Sequence, residues 1–341
     1  MKAIVFERFG EPREVLQVRE VTMPAAPAAG QVRVRMRISP INPSDLMSVR
    51  GLYGKQPSLP ATPGFEGVGI IDTVGAGWLA KFRGIKPGRR VAVLNPQGGN
   101  WQDYVVLSAR QVVPIPDDLP DDQVAAFFVN PASALVMTRS VLQVARGTWL
   151  LQTAAGSALG RMVIRLGKHF GFHTINIVRR KELVEELKQL GADVVLSSGE
   201  DPIARRIKEM TRGALVPYAL DCVGGAGVLE LIQALAPQGR LLVYGTLSGE
   251  PIPLDPRLLM SGQRTVEGFW LSEWVKKQGV LRMLGLFRQI SALMRAGVLT
   301  TPVAAAFTLD QLPQALERVE QAARGGKIML QIDGMNQPIG G

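Results

Sequence analysis

The strongest constraint on the fold is a regular alternation of apolar runs and amphipathic stretches between residues 148 and 246. Residues 148–153 (TWLLQT) form an apolar run, and residues 161–171 have the periodicity of a helix. Further strands are predicted over 173–178, 193–198, 216–224 and 240–247, and further helices over 181–192, 203–211, 228–239 and 280–296. Alternation at this spacing predicts βαβ units and a parallel sheet, and therefore an α/β fold.

The first 125 residues have a different pattern, with short β segments separated by Pro and Gly. Strands are predicted at Lys2–Phe6, at Gln31–Ile38, where apolar and polar residues alternate strictly, and at Gly67–Val74. The tail from about residue 298 has a strand, a helix and a strand. It either extends the parallel sheet or returns to the first domain.

The residue composition excludes several classes of protein. The chain of 341 residues has a single cysteine, Cys222, and two histidines, so it holds neither an internal disulfide framework nor a multi-cysteine zinc site. The longest uncharged run, residues 123–138, contains Asn130 and Pro131 and is too short to span a bilayer. With no N-terminal signal sequence in view, we expect a soluble, cytoplasmic protein with no membrane partner.

The net charge of +10 is concentrated in the βαβ region. Residues 126–297 contain 21 Lys and Arg against 13 Asp and Glu, whereas the remainder contains 18 against 16. Such a surplus fits nucleic acid, an anionic surface, a phosphorylated small molecule, or a solvated basic surface with no ligand.

The turn after the first of these strands consists of small residues, which let backbone N–H groups approach a pyrophosphate at a helix N-terminus. It departs from G-x-G-x-x-G at two glycine positions, and a packing role is the alternative. The candidate cofactor residues are Ala155, Gly156, Ser157, Ala158, Leu159 and Gly160.

The end of the next strand distinguishes NADP(H) from NAD(H). An NAD site usually has an acidic residue there for the ribose 2′-hydroxyl, whereas this chain has Arg179, Arg180 and Lys181. These cations suit a 2′-phosphate, and as a merely solvated helix start they would oppose the helix dipole. Two later strand ends should line the same crevice, with Cys222 and Val223 on one and Tyr244 and Gly245 on the other. For Cys222 we expect burial rather than reactivity, because no activating base is evident.

The chain resembles the medium-chain dehydrogenase/reductase superfamily along essentially its whole length. The resemblance rests on residues 60–74 (PATPGFEGVGIIDTV), the small-residue turn, LGAD at 190–193 and GGKIML near the end. It implies a GroES-like β-rich catalytic domain, residues 1–125 and 298–341, and a doubly wound Rossmann NADP(H)-binding domain, residues 126–297.

Within that superfamily the chain resembles the zinc-independent branch. Zinc enzymes have a Cys ligand within the segment 42–45 and Gly-His-Glu where this chain has Gly64-Phe65-Glu66. Details such as INPSD at 41–45, RGLYG at 50–54 and GFWLSEW at 268–274 look like mitochondrial-type trans-2-enoyl-thioester reductases. The chain departs from those reductases at two positions that bear on the substrate pocket: it has Ala158 where they commonly have Gly and Leu135 where they commonly have Tyr.

The resemblance implies a role for particular residues. Tyr53 would be the proton donor. Asn42 and Asp45 would shape the active-site loop or bind the nicotinamide ribose, and Lys327 would lie near the cofactor. The predicted substrate and nicotinamide pocket comprises Asn42, Asp45, Trp101, Asn130, Phe269, Trp270, Leu271 and Trp274.

Three functions follow as hypotheses. The leading one is NADPH-dependent reduction of a 2-enoyl thioester, carried by CoA or acyl carrier protein, without a metal. The alternatives are an NADPH:quinone oxidoreductase of the same fold and a nucleic-acid- or NADPH-binding protein without this catalysis, although no RNA motif supports nucleic acid. The branch also implies a homodimer.

Overall fold

The computed structural model describes residues 1–54, 56–198, 202–211, 213, 215–321 and 325–333. The chain forms two compact units, Met1–Val129 with Thr300–Gly341, and Asn130–Leu299. Among the described residues, no helix has both the length and the apolar character needed to cross a membrane.

The first unit contains a two-stranded and a seven-stranded sheet. Numbered along the whole chain, its strands are β1 (Lys2–Val5), β2 (Gln17–Glu20), β3 (Gln31–Pro40), β4 (Glu66–Val74), β5 (Arg90–Leu94), β6 (Tyr104–Ser108), β7 (Val112–Pro114), β14 (Val303–Thr308) and β15 (Lys327–Gln331). The larger sheet has the order β14-β15-β3-β4-β5-β7, with β6 also paired to β3. The tail therefore returns to the first unit, because β15 pairs with β3.

Strand β3 shows why this sheet forms. The alternation predicted from the sequence is confirmed, because Val32, Val34 and Met36 are fully buried. The arginines between them lie on the opposite, half-buried face. In the described part of this unit, the α-helices are α1 (Pro12–Val15), α2 (Pro43–Val49), α3 (Trp78–Phe82), α4 (Asp121–Ala125) and α13 (Leu312–Glu320).

The second unit is a six-stranded parallel sheet with flanking helices, which confirms the predicted α/β fold. Its strands are β8 (Trp149–Gln152), β9 (His173–Val178), β10 (Val194–Ser197), β11 (Val216–Asp221), β12 (Leu235–Val243) and β13 (Thr265–Gly268). Its helices are α5 (Val129–Val136), α6 (Ala158–Phe170), α7 (Leu183–Leu190), α8 (Ile203–Met210), α9 (Val228–Ala234), α10 (Pro256–Met260), α11 (Leu271–Lys276) and α12 (Val280–Arg295). The order β10-β9-β8-β11-β12-β13 reverses between β8 and β11, which is the point where such sheets bind ligands.

One predicted helix in this unit is too long. The sequence predicts a helix over 228–239, whereas α9 ends at Ala234 and β12 begins at Leu235. Pro237 disfavours helical backbone at the residue before it, and Gln238 has a positive φ of 60°. The chain therefore leaves the helix before the proline.

Candidate functional site

The small-residue turn lies between the end of β8 and the start of α6. A Cβ at Gly160 would lie 2.6 Å from the Cα and carbonyl oxygen of Ala155, and one at Gly156 would lie 2.5 Å from Leu183 Cδ1. Ser157 caps the helix, since its hydroxyl oxygen accepts the Gly160 N–H at 3.1 Å. The turn thus brings α6 close to the strand, as the pyrophosphate fingerprint requires.

Three cations follow β9 directly. Arg179 and Lys181 are exposed and Arg180 is half-buried. Within the described ranges, the Arg179 side chain has no ion-pair partner. These residues therefore fit an anionic group such as a 2′-phosphate.

The switch point between β8 and β11 is held by a buried hydrogen bond. The Thr153 hydroxyl donates to Asp221 Oδ1 at 2.6 Å, and the Gly224 N–H donates to Asp221 Oδ2 at 2.8 Å. The turn that carries Cys222 and Val223 is thereby fixed. Nothing in the sequence marks the partnership of Thr153 with Asp221, because the two residues are 68 positions apart in the chain.

Cys222 is buried, in agreement with the packing role expected from the sequence. Burial raises the pKa of its thiol to about 11, so the group is protonated at neutral pH. Burial also raises the pKa of the neighbouring Tyr244 hydroxyl. A Cβ at Gly245 would lie 2.9 Å from the Cys222 carbonyl oxygen, so the two predicted strand ends are in close contact.

In the first unit, four buried polar residues meet where β3, β4 and β15 begin or end: Asn42, Asp45, Glu66 and Lys327. Asn42 Nδ2 donates to Glu66 Oε1 at 3.1 Å, and Lys327 Nζ donates to Asn42 Oδ1. The amide of Asn42 thus links an ammonium group to a carboxylate. We call Asn42, Glu66 and Lys327 the buried triad.

Glu66 is the member of the triad that was not predicted from the sequence as a site residue. Its second oxygen accepts the N–H groups of Phe128 and Val129 at 3.0 and 2.8 Å. Burial raises the pKa of Glu66, while the charge of Lys327 and these hydrogen bonds limit the rise. The available signal was a glutamate that opens an apolar run, EGVGII.

Asp45 caps helix α2 with one carboxylate oxygen and contacts the segment before β4 with the other. Oδ2 accepts the Asn42 N–H at 2.7 Å, and Oδ1 accepts the Phe65 N–H at 3.0 Å. Burial raises the pKa of Asp45 to about 7, and the nearby Glu66 carboxylate adds to the rise. With both oxygens engaged, the side chain ties the start of α2 to the segment before β4.

Tyr53 lies in the loop after α2 and is half-buried. Its ring packs on Phe65 with a centroid separation of 5.4 Å and an interplanar angle of 39°. Gly51 and Gly54 have φ values of 75° and 49°, which a residue with a side chain would rarely adopt. The structure therefore brings Tyr53 and Asp45 to the same residue, Phe65.

The remaining pocket residues divide between the units. Trp101 is fully buried in the first unit, and a Cβ at Gly64 would lie only 2.4 Å from its ring. In the second unit, Asn130 is a half-buried residue of α5. The aromatic segment there begins at Phe269, whose N–H donates to Val243 O at 2.8 Å, and continues into α11 with Trp270, Leu271 and Trp274. Their contact with a substrate stays a prediction.

Known dehydrogenases and reductases are similar to this chain over most of its length. The family models "Alcohol dehydrogenase GroES-like domain" and "Zinc-binding dehydrogenase" match residues 28–117 and 158–285. Mitochondrial enoyl-[acyl-carrier-protein] reductase from Rattus norvegicus is 34% identical over 322 residues, 93% of this chain and 85% of the relative.

Solved structures share the fold. A candidate NADPH:quinone reductase from Bacillus thuringiensis superposes with a TM-score of 0.90 at 33% identity, covering 97% of this chain and 98% of the other. The Etr1p/NADP/crotonyl-CoA complex superposes with a TM-score of 0.84 at 25% identity, covering 97% and 99%.

The name of one matching family includes zinc, and the residues of this chain do not fit that metal. Zinc is held by three or four Cys, His or carboxylate ligands. Among the residues the structure describes, no group of three or more His, Cys, Asp and Glu side chains could hold a metal ion. The segments that supply the ligands in zinc enzymes instead meet at Asn42 and Glu66, beside the ammonium of Lys327, which would repel a cation.

The match to the family models and relatives over both units is stronger evidence for the family than any single sequence motif. It covers both units, and it includes the β-rich region and the parallel sheet expected from the sequence. The chain belongs to the medium-chain dehydrogenase/reductase family.

Proposed function

We propose that the protein reduces the C=C bond of a 2-enoyl thioester with NADPH. The observation that carries the proposal is the 34% identity to an enoyl-[acyl-carrier-protein] reductase over 93% of the chain. The neighbouring structure that contains NADP and crotonyl-CoA supports the same chemistry.

The residues that would hold the cofactor belong to the second unit. The turn Ala155–Gly160 offers backbone N–H groups at the start of α6 for a pyrophosphate. Arg179, Arg180 and Lys181 offer three cations for a 2′-phosphate. Val223, Tyr244 and Gly245 lie at the carboxyl ends of their strands, where the crevice of such a sheet opens.

When bound, NADPH supplies the hydride that adds to the β-carbon of the enoyl thioester. Negative charge then develops on the thioester oxygen, and the α-carbon needs a proton. We propose the Tyr53 hydroxyl as the donor, in keeping with its role in the resembling enzymes. The packing of its ring on Phe65 supports this assignment, because it fixes the direction of the phenol.

For Asn42 and Asp45 the sequence left two roles open, and the contacts favour shaping the loop. Both carboxylate oxygens of Asp45 accept backbone N–H groups, and the amide of Asn42 is engaged at both ends. Both residues start α2, the helix that leads into the Tyr53 loop. We therefore propose that they position Tyr53, and that Lys327 holds Asn42 in place.

Reduction of a quinone is the second candidate function, because the Bacillus thuringiensis neighbour bears that name at 33% identity. The two candidates share the cofactor, the fold and a tyrosine, so only the substrate separates them. The homodimer and the cytoplasmic location expected from the sequence stay predictions, and the relative from Rattus norvegicus is mitochondrial.

A parallel assay of substrates tests the proposal. NADPH oxidation is measured with crotonyl-CoA, trans-2-hexenoyl-CoA and 1,4-benzoquinone under identical conditions. We expect turnover with both enoyl thioesters and a higher kcat/KM than with the quinone. Turnover with the quinone alone would reject the proposal in favour of the second candidate.

A further inference from the structure

A basic and aromatic surface surrounds helix α3, and no residue of it takes part in the proposed chemistry. We define the α3 surface as Trp78, Lys81, Phe82, Lys86 and Arg110. The Trp78 and Phe82 side chains are four residues apart on one face of the helix and are 74% and 78% exposed. Their rings contact each other edge to face, with centroids 6.3 Å apart.

The way α3 is anchored explains why these rings face solvent. Ala80 and Ile85 are buried, and Leu79 packs against the core of the first unit. These residues anchor α3 and the turn after it to the core, so the Trp78 and Phe82 side chains project into solvent. Isolated exposed apolar residues are ordinary, but a contacting Trp–Phe pair at this exposure marks an interaction surface.

The stretch of chain that contains the pair carries charged residues of one sign. Between residues 73 and 102 the chain has five Lys and Arg and no Asp or Glu. Arg83 and Arg90 are used internally, donating to Ala109 O at 2.8 Å and to Asp121 Oδ1 at 2.6 Å. In the part of the chain that the structure describes, the exposed side chains of Lys81, Lys86 and Arg110 have no ion-pair partner.

We propose that the α3 surface binds the anionic surface of a phospholipid membrane. Trp and Phe rings enter the headgroup region, while lysine side chains extend their ammonium groups to the phosphates. An acidic protein would match the charge as well, but lysine is depleted in protein–protein interfaces, and two of the three free cations are lysines. The composition therefore favours lipid, and a peripheral contact of this kind needs no spanning helix.

The surface lies away from the buried triad along strand β4. Strand β4 runs from Glu66, in the buried triad, to Val74, four residues before Trp78. Eight residue steps at about 3.3 Å each separate its two ends by roughly 26 Å. Substitutions in the α3 surface therefore test membrane binding without altering the triad or Tyr53.

Vesicle sedimentation of the full-length chain tests the proposal. The probes are vesicles of phosphatidylcholine alone and of phosphatidylcholine with phosphatidylserine at a ratio of about 70:30. We expect binding to the anionic vesicles that weakens as salt rises, and at least tenfold weaker binding to the neutral ones. Lys81→Gln and Lys86→Gln should each weaken binding about fivefold, since each removes one cation near the surface.

The aromatic pair is tested with matched controls. The double variant Trp78→Ser/Phe82→Ser should lose vesicle binding while retaining its circular dichroism spectrum and NADPH affinity. Leu281→Ser, at a residue 85% exposed on α12, and Lys208→Gln on α8 should bind like the unchanged protein. Absence of binding to anionic vesicles, or equal binding by the double variant, would overturn the proposal. So would a double variant that instead changes only the oligomeric state in analytical ultracentrifugation.

Discussion

Substitution of Lys327 by Met should destabilise the first unit strongly. Lys327 is 6% exposed and Glu66 is 2% exposed, and the amide of Asn42 connects them. Removal of one partner from a buried ion pair costs about 3–5 kcal/mol, because the remaining charge is left uncompensated. Glu66 keeps three N–H donors, so we expect the lower end of that range, about 3 kcal/mol.

Urea unfolding followed by circular dichroism measures the effect. With an m-value of about 3 kcal/mol/M, a loss of about 3 kcal/mol lowers the midpoint of the transition by about 1 M. The control is Lys188→Met, which removes an exposed ion pair with Glu185 and should cost less than about 1 kcal/mol. The double variant Glu66→Gln/Lys327→Met should recover at least about 1.5 kcal/mol, because no carboxylate is then left without its cation.

The pH dependence gives a second readout. Without Lys327, the pKa of Glu66 rises further above its ordinary value, since the charge that lowered it is gone. A carboxyl group with a raised folded-state pKa stabilises the fold at low pH and loses that contribution as pH rises through its folded value. The cost of Lys327→Met should therefore be smaller at pH 5 than at pH 7. Equal midpoints for Lys327→Met and Lys188→Met, or a double variant no more stable than Lys327→Met, would show that Lys327 does not compensate the charge of Glu66.

Two further substitutions and one labelling experiment test the proton donor, the 2′-phosphate contact and the burial of Cys222. Tyr53→Phe should lower turnover with crotonyl-CoA about 10²- to 10⁴-fold, while NADPH affinity measured by fluorescence titration should stay within twofold. Tyr104→Phe is the control, and unchanged turnover in Tyr53→Phe would remove Tyr53 from the mechanism. Arg179→Ala should weaken NADPH binding about 10- to 100-fold and NADH binding hardly at all, and equal losses for the two nucleotides would contradict a 2′-phosphate contact. Since burial raises the pKa of Cys222 to about 11, its reaction with a thiol reagent at pH 8 should be slow in the native protein and fast in denaturant. A native rate as high as the denatured one would disprove that burial.

The parts of the fold that could be predicted from the sequence are those encoded by residues close together in the chain. The alternation in β3 and the strand–turn–helix around Gly160 are encoded by neighbouring residues, and both appear in the structure. The prediction of a helix over 228–239 was wrong at its C-terminal end. The apolar periodicity continues past the point where Pro237 stops helical backbone, and the helix ends at Ala234. Turn and proline chemistry outweighed the periodic signal there.

The buried triad shows what the sequence alone does not contain. Asn42 and Lys327 are 285 residues apart and meet only because β15 pairs with β3. The family resemblance implied roles for Asn42 and Lys327 separately. It did not indicate that Asn42 contacts both Lys327 and Glu66. A contact of this kind depends on tertiary pairing, which no local pattern encodes.

Isotope tracing of the reduction of trans-2-hexenoyl-CoA follows the hydride and the proton to the two carbons that they reach. With NADPH deuterated at the transferable C4 position, mass spectrometry and NMR of the product should show one deuterium at C3 of a saturated hexanoyl-CoA. In D2O with unlabelled NADPH, the deuterium should appear at C2, and Tyr53→Phe should slow its appearance. Unchanged hexenoyl-CoA under conditions in which the same sample oxidises NADPH with 1,4-benzoquinone would contradict the assignment as an enoyl-thioester reductase.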